Sequence, residues 1–183
     1  MKILFHICCA PCFAAPYFHL KKEGHEIHGF WYNHNIHPYT EYRKRLETVE
    51  EFAEKQNFPL IVKDEYDLEK FLRKAAFREN ERCRICYYDR LKYTAIVAKK
   101  GNFEAFSTTL LYSKFQDHAL IKDIGESLAK EYGIKFYYND LRKYWKEGIE
   151  ISKDMNMYRQ QYCGCIYSER DRYLKVKKEK EHL

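Results

Sequence analysis

Short apolar and β-branched runs alternate along the chain with longer stretches in which apolar residues recur every three or four positions. KILFHI (Lys2–Ile7), EIHGFWYN (Glu26–Asn33), PLIVKDEY (Pro59–Tyr66), AFSTTL (Ala105–Leu110) and KFYYND (Lys135–Asp140) read as five strands. Between them, Tyr42, Leu46, Val49, Phe52 and Ala53 share one face of a helix that follows Pro38. Leu91, Thr94, Ala95 and Ala98 mark a second helix ending at Gly101, and Leu120, Ile121, Ile124 and Leu128 a third ending at Gly133. A shorter helix is expected between the first two strands and another after Trp145, with Asp67 and Asp117 as candidate N-caps. The alternation predicts an α/β three-layer sandwich with a mainly parallel five-stranded sheet and right-handed crossovers. One domain is expected over residues 1–174, followed by the charged tail KVKKEKEHL at 175–183.

Composition is compatible with this fold and removes other classes. The 183 residues are 45% hydrophobic and 33% charged, enough to bury one core and keep a polar surface. With only 7 Gly and 4 Pro, the chain is neither collagenous nor rich in flexible linkers. No apolar run approaches the roughly 20 residues that span a bilayer. The opening MKILFHICCAPC lacks a full apolar signal region and a cleavage site, so a cytoplasmic location is expected. After the first strand, where nucleotide-binding α/β proteins carry a glycine-rich turn that cradles phosphates, this chain has CCAPC and no Gly before Gly24. No nucleotide cofactor is expected.

The cysteines stand out against that background. There are seven, in four tight groupings: Cys8-Cys9, Cys12, Cys83-x-x-Cys86 and Cys163-x-Cys165. An odd count, adjacent positions unsuited to strain-free mutual bridges, and the absence of an export signal all argue against a disulfide framework. Metal or redox chemistry fits better than inert buried thiols. A tetrahedral zinc site and a cubane iron–sulfur cluster each take four ligands, and seven thiols exceed either by three. Spacing alone leaves the two metals open. The predicted strand order nevertheless gives the thiols a meeting place. Cys8, Cys9 and Cys12 follow the first strand, and Cys83 and Cys86 open a helix, so all can reach the rim at the carboxyl ends of a parallel sheet.

The ordered motifs CCAPC, NHNIHPYTEYRKR, RCRICYYDRL, STTLLYS, FYYNDLRK and YRQQYCGCIYS resemble one family, the cobalamin-independent epoxyqueuosine reductases of the QueH type. The likeness runs from about residue 3 to 170 and includes every cysteine. It implies a HUP-like, Rossmann-like fold and an oxidoreductase that removes the epoxide oxygen from epoxyqueuosine at the wobble position of tRNA, leaving queuosine. It also implies a [4Fe-4S] cluster, an adjacent mononuclear iron and an external electron donor. Carried onto this chain, the metal-binding set is Cys8, Cys9, Cys12, Cys83, Cys86, Cys163 and Cys165. All of these but Cys12 are candidates for holding the cluster. Asp140, in the DLRK segment, and Asp67 are candidate carboxylate ligands of the second iron. Leu141 stands where the family usually has Phe, a conservative change. Asp140, His37 and Tyr112 are the candidate proton donors.

Charge adds a weaker signal. The formal net charge of +6 and a pI near 8.8 suit an RNA partner without establishing one. Arg43, Lys44, Arg45, Arg78, Arg82, Arg84, Arg90, Arg142, Lys143 and Lys146 all fall near predicted site segments and would form a funnel for the phosphate backbone. Tyr32, Tyr87 and Tyr88 are candidate stacking groups for anticodon bases. The competing readings are a zinc-stabilised RNA-binding module, a thiol or heterodisulfide-type reductase using CCAPC and CGC, and a tRNA-modifying ATP pyrophosphatase. The missing glycine-rich loop argues against the last.

Overall fold

The computed structural model describes residues 1–174, and the expected charged tail at 175–183 lies outside the described residues. All five expected strands form: β1 (Lys2–His6), β2 (Glu26–Trp31), β3 (Leu60–Val62), β4 (Ala105–Thr108) and β5 (Lys135–Phe136). They make one parallel sheet in the order β3-β2-β1-β4-β5. Each strand is shorter than its apolar run, because the residues at the carboxyl ends leave the ladder to make polar turns. Thr108 caps a 3-10 turn over Thr109–Tyr112, and Asp140 caps another over Leu141–Tyr144.

The helices are α1 (Ala10–Lys22), α2 (Tyr39–Gln56), α3 (Leu68–Ala75), α4 (Arg82–Lys100), α5 (His118–Tyr132), α6 (Trp145–Asp154) and α7 (Ile166–Tyr173). Helices α1, α2 and α6 pack together on one side of the sheet, α4 and α5 on the other. The apolar face read on α2 is buried throughout, whereas Leu120 on α5 is only partly covered. Asp117 caps α5 by accepting the Leu120 N–H at 3.0 Å, and Gly133 ends it with φ 60°, a left-handed backbone that favours glycine. Phe13 of α1 is fully buried against Phe5, Phe52 and Phe58 at ring separations of 5.2, 6.3 and 5.6 Å. A buried ring of this size contributes about 1.5–3 kcal/mol. Among the described residues no helix is long and apolar enough to cross a membrane.

The chain leaves β1 toward β2 but reaches β4 on the other side, so a crevice opens between the carboxyl ends of β1 and β4, the topological switch point of the sheet. His6, the last residue of β1, ties three strands together there. Its Nδ1 lies 2.9 Å from Thr108 Oγ1, and its Nε2 lies 3.2 Å from both the Tyr32 carbonyl and Asn33 Oδ1. Burial holds its pKa down at about 4, so the ring is neutral near pH 7.

His34 and His37 are likewise lowered by burial to about 4. Unfolding returns all three rings to their ordinary value of about 6.5. The unfolded chain therefore binds more protons between these limits, and stability that is full above about pH 6.5 is lost as pH falls toward 4. Each ring adds a slope of up to about 1.4 kcal/mol per pH unit. The urea midpoint is expected to be lower at pH 5 than at pH 7, and equal midpoints would contradict neutral burial of these rings.

Candidate metal centre

The first thiols sit where β1 turns into α1. Cys9 is the N-cap of α1 and Cys12 lies in its first turn, so both face the positive end of the helix dipole. The Sγ atoms of Cys8, Cys9 and Cys12 all lie within 4.8 Å of one another, with Cys9 and Cys12 only 2.6 Å apart. Hydrogen bonds from Cys12, Cys9 and Thr109 hold the Cys8 thiol well below its ordinary pKa. Burial raises Cys9, and its two neighbours raise Cys12. One thiolate is favoured and two are resisted. All three ionise together only if a cation shares them.

The remaining thiols come from the opposite side. Cys83 and Cys86 lie in the first turns of α4, and Cys165 is the N-cap of α7 with Cys163 two residues before it. These four and Cys12 line a single cavity of about 570 Å³. Burial pushes Cys86 up to about 12, against the pull of Arg90. All seven cysteines are free thiols.

Two buried arginines organise the site. Arg45 of α2 donates from Nε to Glu41 at 2.6 Å, from Nη1 to the Cys163 carbonyl at 2.7 Å and from Nη2 to the Tyr162 carbonyl at 3.0 Å. Its planar fork thus fixes the Cys-Gly-Cys turn. Gly164 packs so closely that a Cβ would stand 3.3 Å from Ile36 and 3.4 Å from Arg45. Arg90 of α4 donates to Asn35 Oδ1 from Nε and Nη2 at 3.0 and 2.7 Å and also lines the cavity. Burial raises the pKa of Cys86 and Cys163 and the charge of Arg90 opposes that rise, while at Cys8 it adds to the lowering by hydrogen bonds. Sequence position alone assigned both arginines to a surface funnel. They are instead 1% and 2% exposed and serve as internal counter-charges. Beyond the Glu41 pair one helical turn away little local signals this for Arg45, because the two carbonyls it grips lie more than a hundred residues along the chain.

Three further expected site residues stand outside the cavity lining. His37 is buried and braces the Cys-Gly-Cys turn: its N–H donates to the Gly164 carbonyl at 2.8 Å, and its Nδ1 accepts the Ile166 N–H at 3.2 Å. It is neutral near pH 7 and away from the cavity lining. Asp67 caps α3 by accepting the Lys70 N–H at 2.9 Å. Asp140 accepts the Arg142 N–H at 3.1 Å and its guanidinium at 2.8 and 2.6 Å, and Arg142 holds the carboxyl down at about 2. Neither aspartate lines the cavity, because each is satisfied by its own turn. The carboxylate that does line it is Asp171 of α7, paired with Arg82 at 2.6 Å.

Tyr112 does reach the cavity. Its O–H donates to the Trp145 carbonyl at 3.1 Å, and burial beside Cys12 and Cys9 raises its pKa. The ring stacks on Trp145 at 5.2 Å and 28°. A Cβ on Gly148 would fall 2.2 Å from the Tyr112 hydroxyl, so only glycine leaves room for it. Phe115 stands edge-on to Trp145 at 6.0 Å and is 83% exposed. Trp145 and Phe115 therefore form the aromatic wall of the cavity, for which Tyr32, Tyr87 and Tyr88 were the expected residues. Tyr87 lines the cavity as well, although it is largely buried, whereas Tyr32 is buried away from it and Tyr88, though 39% exposed, does not line it. Of the expected cationic funnel, Arg82 and Arg90 line the cavity and are joined by Arg159 and Arg172, while Arg43, Arg84 and Arg142 are engaged by neighbouring carboxylates.

Comparison with known proteins agrees along the whole described chain. The family Epoxyqueuosine reductase QueH matches residues 3–171. A Dehalococcoides mccartyi protein named epoxyqueuosine reductase QueH is 39% identical, covering 94% of this chain and 94% of its own. Its namesake from Thermotoga maritima is 34% identical over 99% and 98% of the two chains, and that from Acinetobacter baylyi 38% over 93% and 81%. Among solved structures, a predicted subunit of a tRNA methyltransferase from Methanocaldococcus jannaschii superposes with a TM-score of 0.57 at 17% identity, covering 84% of this chain and 76% of that one. That likeness is one of fold, the HUP-like α/β class.

Replacing Arg45 with Met leaves Glu41 buried without its cation and two carbonyls without donors. The expected loss is about 3–5 kcal/mol of stability. Arg45→Lys is expected not to restore it, since one ammonium cannot meet three acceptors in a plane. Urea denaturation of the two variants checks both statements.

Proposed function

Because the chain belongs to the epoxyqueuosine reductase QueH family, we propose that its cavity reduces epoxyqueuosine at the wobble position of tRNA to queuosine. The reaction takes two electrons and two protons: both C–O bonds of the epoxide break, a C=C bond forms, and the oxygen leaves as water. The observation that carries this reading is that five thiols from three chain segments line one cavity, with Cys8 and Cys9 within 4.8 Å of Cys12 and two buried arginines nearby. Such a donor set fits iron–sulfur chemistry, in which anionic thiolates need buried positive charge nearby.

Four of the thiols would hold a [4Fe-4S] cluster and the others an adjacent mononuclear iron. When bound, the cluster supplies electrons singly from an external donor and the second iron acts as a Lewis acid toward the epoxide oxygen. The chain's own residues do the rest. Trp145 and Phe115 offer the face on which the modified base stacks, in the same cavity as the thiols. Tyr112 is the proton donor to the departing oxygen. Its support is a hydroxyl on the cavity wall that burial keeps protonated. Arg82, Arg159 and Arg172 receive the flanking phosphates.

Anaerobic reconstitution with iron and sulfide is expected to give reducible cluster absorbance and to convert epoxyqueuosine-containing tRNA to queuosine. Full activity of a zinc-loaded, iron-free protein would overturn the reading, and ATP dependence would favour a pyrophosphatase. Tyr112→Phe is expected to lower kcat by about 100-fold or more with KM little changed, the scale of a lost general acid. Trp145→Ala is expected instead to raise KM. Affinity for tRNA should fall steeply with salt concentration, and salt-insensitive binding would count against the arginine contacts.

A further inference from the structure

Two glutamine side chains aim their amide N–H groups at sulfur. Gln160, in the segment between α6 and α7, points Nε2 at Cys9 Sγ at 2.9 Å and at Cys12 Sγ at 3.3 Å. Gln116, just before α5, points Nε2 at Cys163 Sγ at 3.2 Å. The orientation of Gln116 is fixed from behind. Its Oε1 accepts the Tyr87 O–H at 2.7 Å, and the Tyr87 oxygen is itself within 3.4 Å of the Asp117 N–H. With that N–H directed at the phenol oxygen, the single phenolic proton points at Gln116. Only the amide nitrogen is left to face the thiol. Thr109 completes the pattern by donating to Cys8 at 3.1 Å.

An amide N–H offers a partial positive charge but no exchangeable electron pair and no competing ligand. Placed against a metal-bound sulfur, it stabilises whichever oxidation state carries more negative charge on that sulfur. That is the reduced state, so such donors raise a reduction potential. We infer that Gln116 and Gln160 are positioning residues that set the reduction potential of the thiolate-bound iron centre through N–H···S hydrogen bonds. The inference rests on the iron-centre reading above and deepens it. Tyr87 acts one step further out, by holding the Gln116 amide in the donating orientation.

The test is an anaerobic optical redox titration of the full-length, iron-loaded protein, with iron content measured on each sample. Gln160→Leu and Gln116→Leu are each expected to shift the ratio of oxidised to reduced centre about tenfold toward the oxidised form at a fixed potential, about 59 mV for one electron. Gln160→Glu keeps the shape but loses the donor, and is expected to shift the same way. Tyr87→Phe is expected to shift in that direction by less than Gln116→Leu. If a leucine variant fails to load iron, these two shape-preserving variants carry the comparison. Wild-type potentials at full iron loading would overturn the inference. Failure of the unmutated protein to hold a reducible iron centre would overturn the functional reading itself, and the inference with it.

Discussion

Negative charge in a dry crevice is the constraint that the rest of this structure answers. Thiols gathered as closely as Cys8, Cys9 and Cys12 resist joint ionisation, and four more thiols line the same cavity or its edge. Arg45 and Arg90 meet that demand from inside the protein, each held by neutral oxygens or one carboxylate so that its own burial is compensated. The loop carrying Asn33 to His37 exists to support this arrangement. Asn35 orients Arg90, and His37 and Ile36 pack the turn that Arg45 grips.

Topology explains why the charge collects at this spot. A parallel sheet directs the carboxyl ends of its strands to one edge, and reversal of strand order between β1 and β4 leaves that edge open at one point. The N-termini of α1 and α4 both reach it, so backbone dipoles add to the guanidinium charges in favouring thiolates. A phosphate-binding relative of this architecture would spend the same dipoles on an oxyanion. Here CCAPC turns them toward sulfur.

Much of this was legible in the sequence, and the division follows the range of the interactions. Strands and long helices follow local periodicity, and all five strands and the faces of α2 and α4 appear where Tyr42 through Ala53 and Leu91 through Ala98 indicate them. Asp67 and Asp117 are caps with the local spacing that marks a cap. Most of what was not legible concerns side chains whose surroundings depend on distant partners. Arg45 and Arg90 look like solvent-facing helix charges until the Cys-Gly-Cys turn and Asn35 close on them. Tyr32 resembles a stacking residue but ends under Tyr93, with ring centres 4.3 Å apart. Asp140 drew attention through its motif, although the Arg two residues later was a sufficient partner. Gln116 and Gln160 carried no signal, since an amide differs from any other surface amide only by what it faces.

The brace between the loop after β2 and the Cys-Gly-Cys turn joins His37 to Gly164 and Arg45 to Cys163. It therefore makes the last wall of the crevice a long-range contact, closed between segments far apart in the chain. Until that turn docks, Arg45 lacks its carbonyl partners and the crevice lacks a wall. The brace is thus also a shield, since thiols without that wall stand open to oxidation.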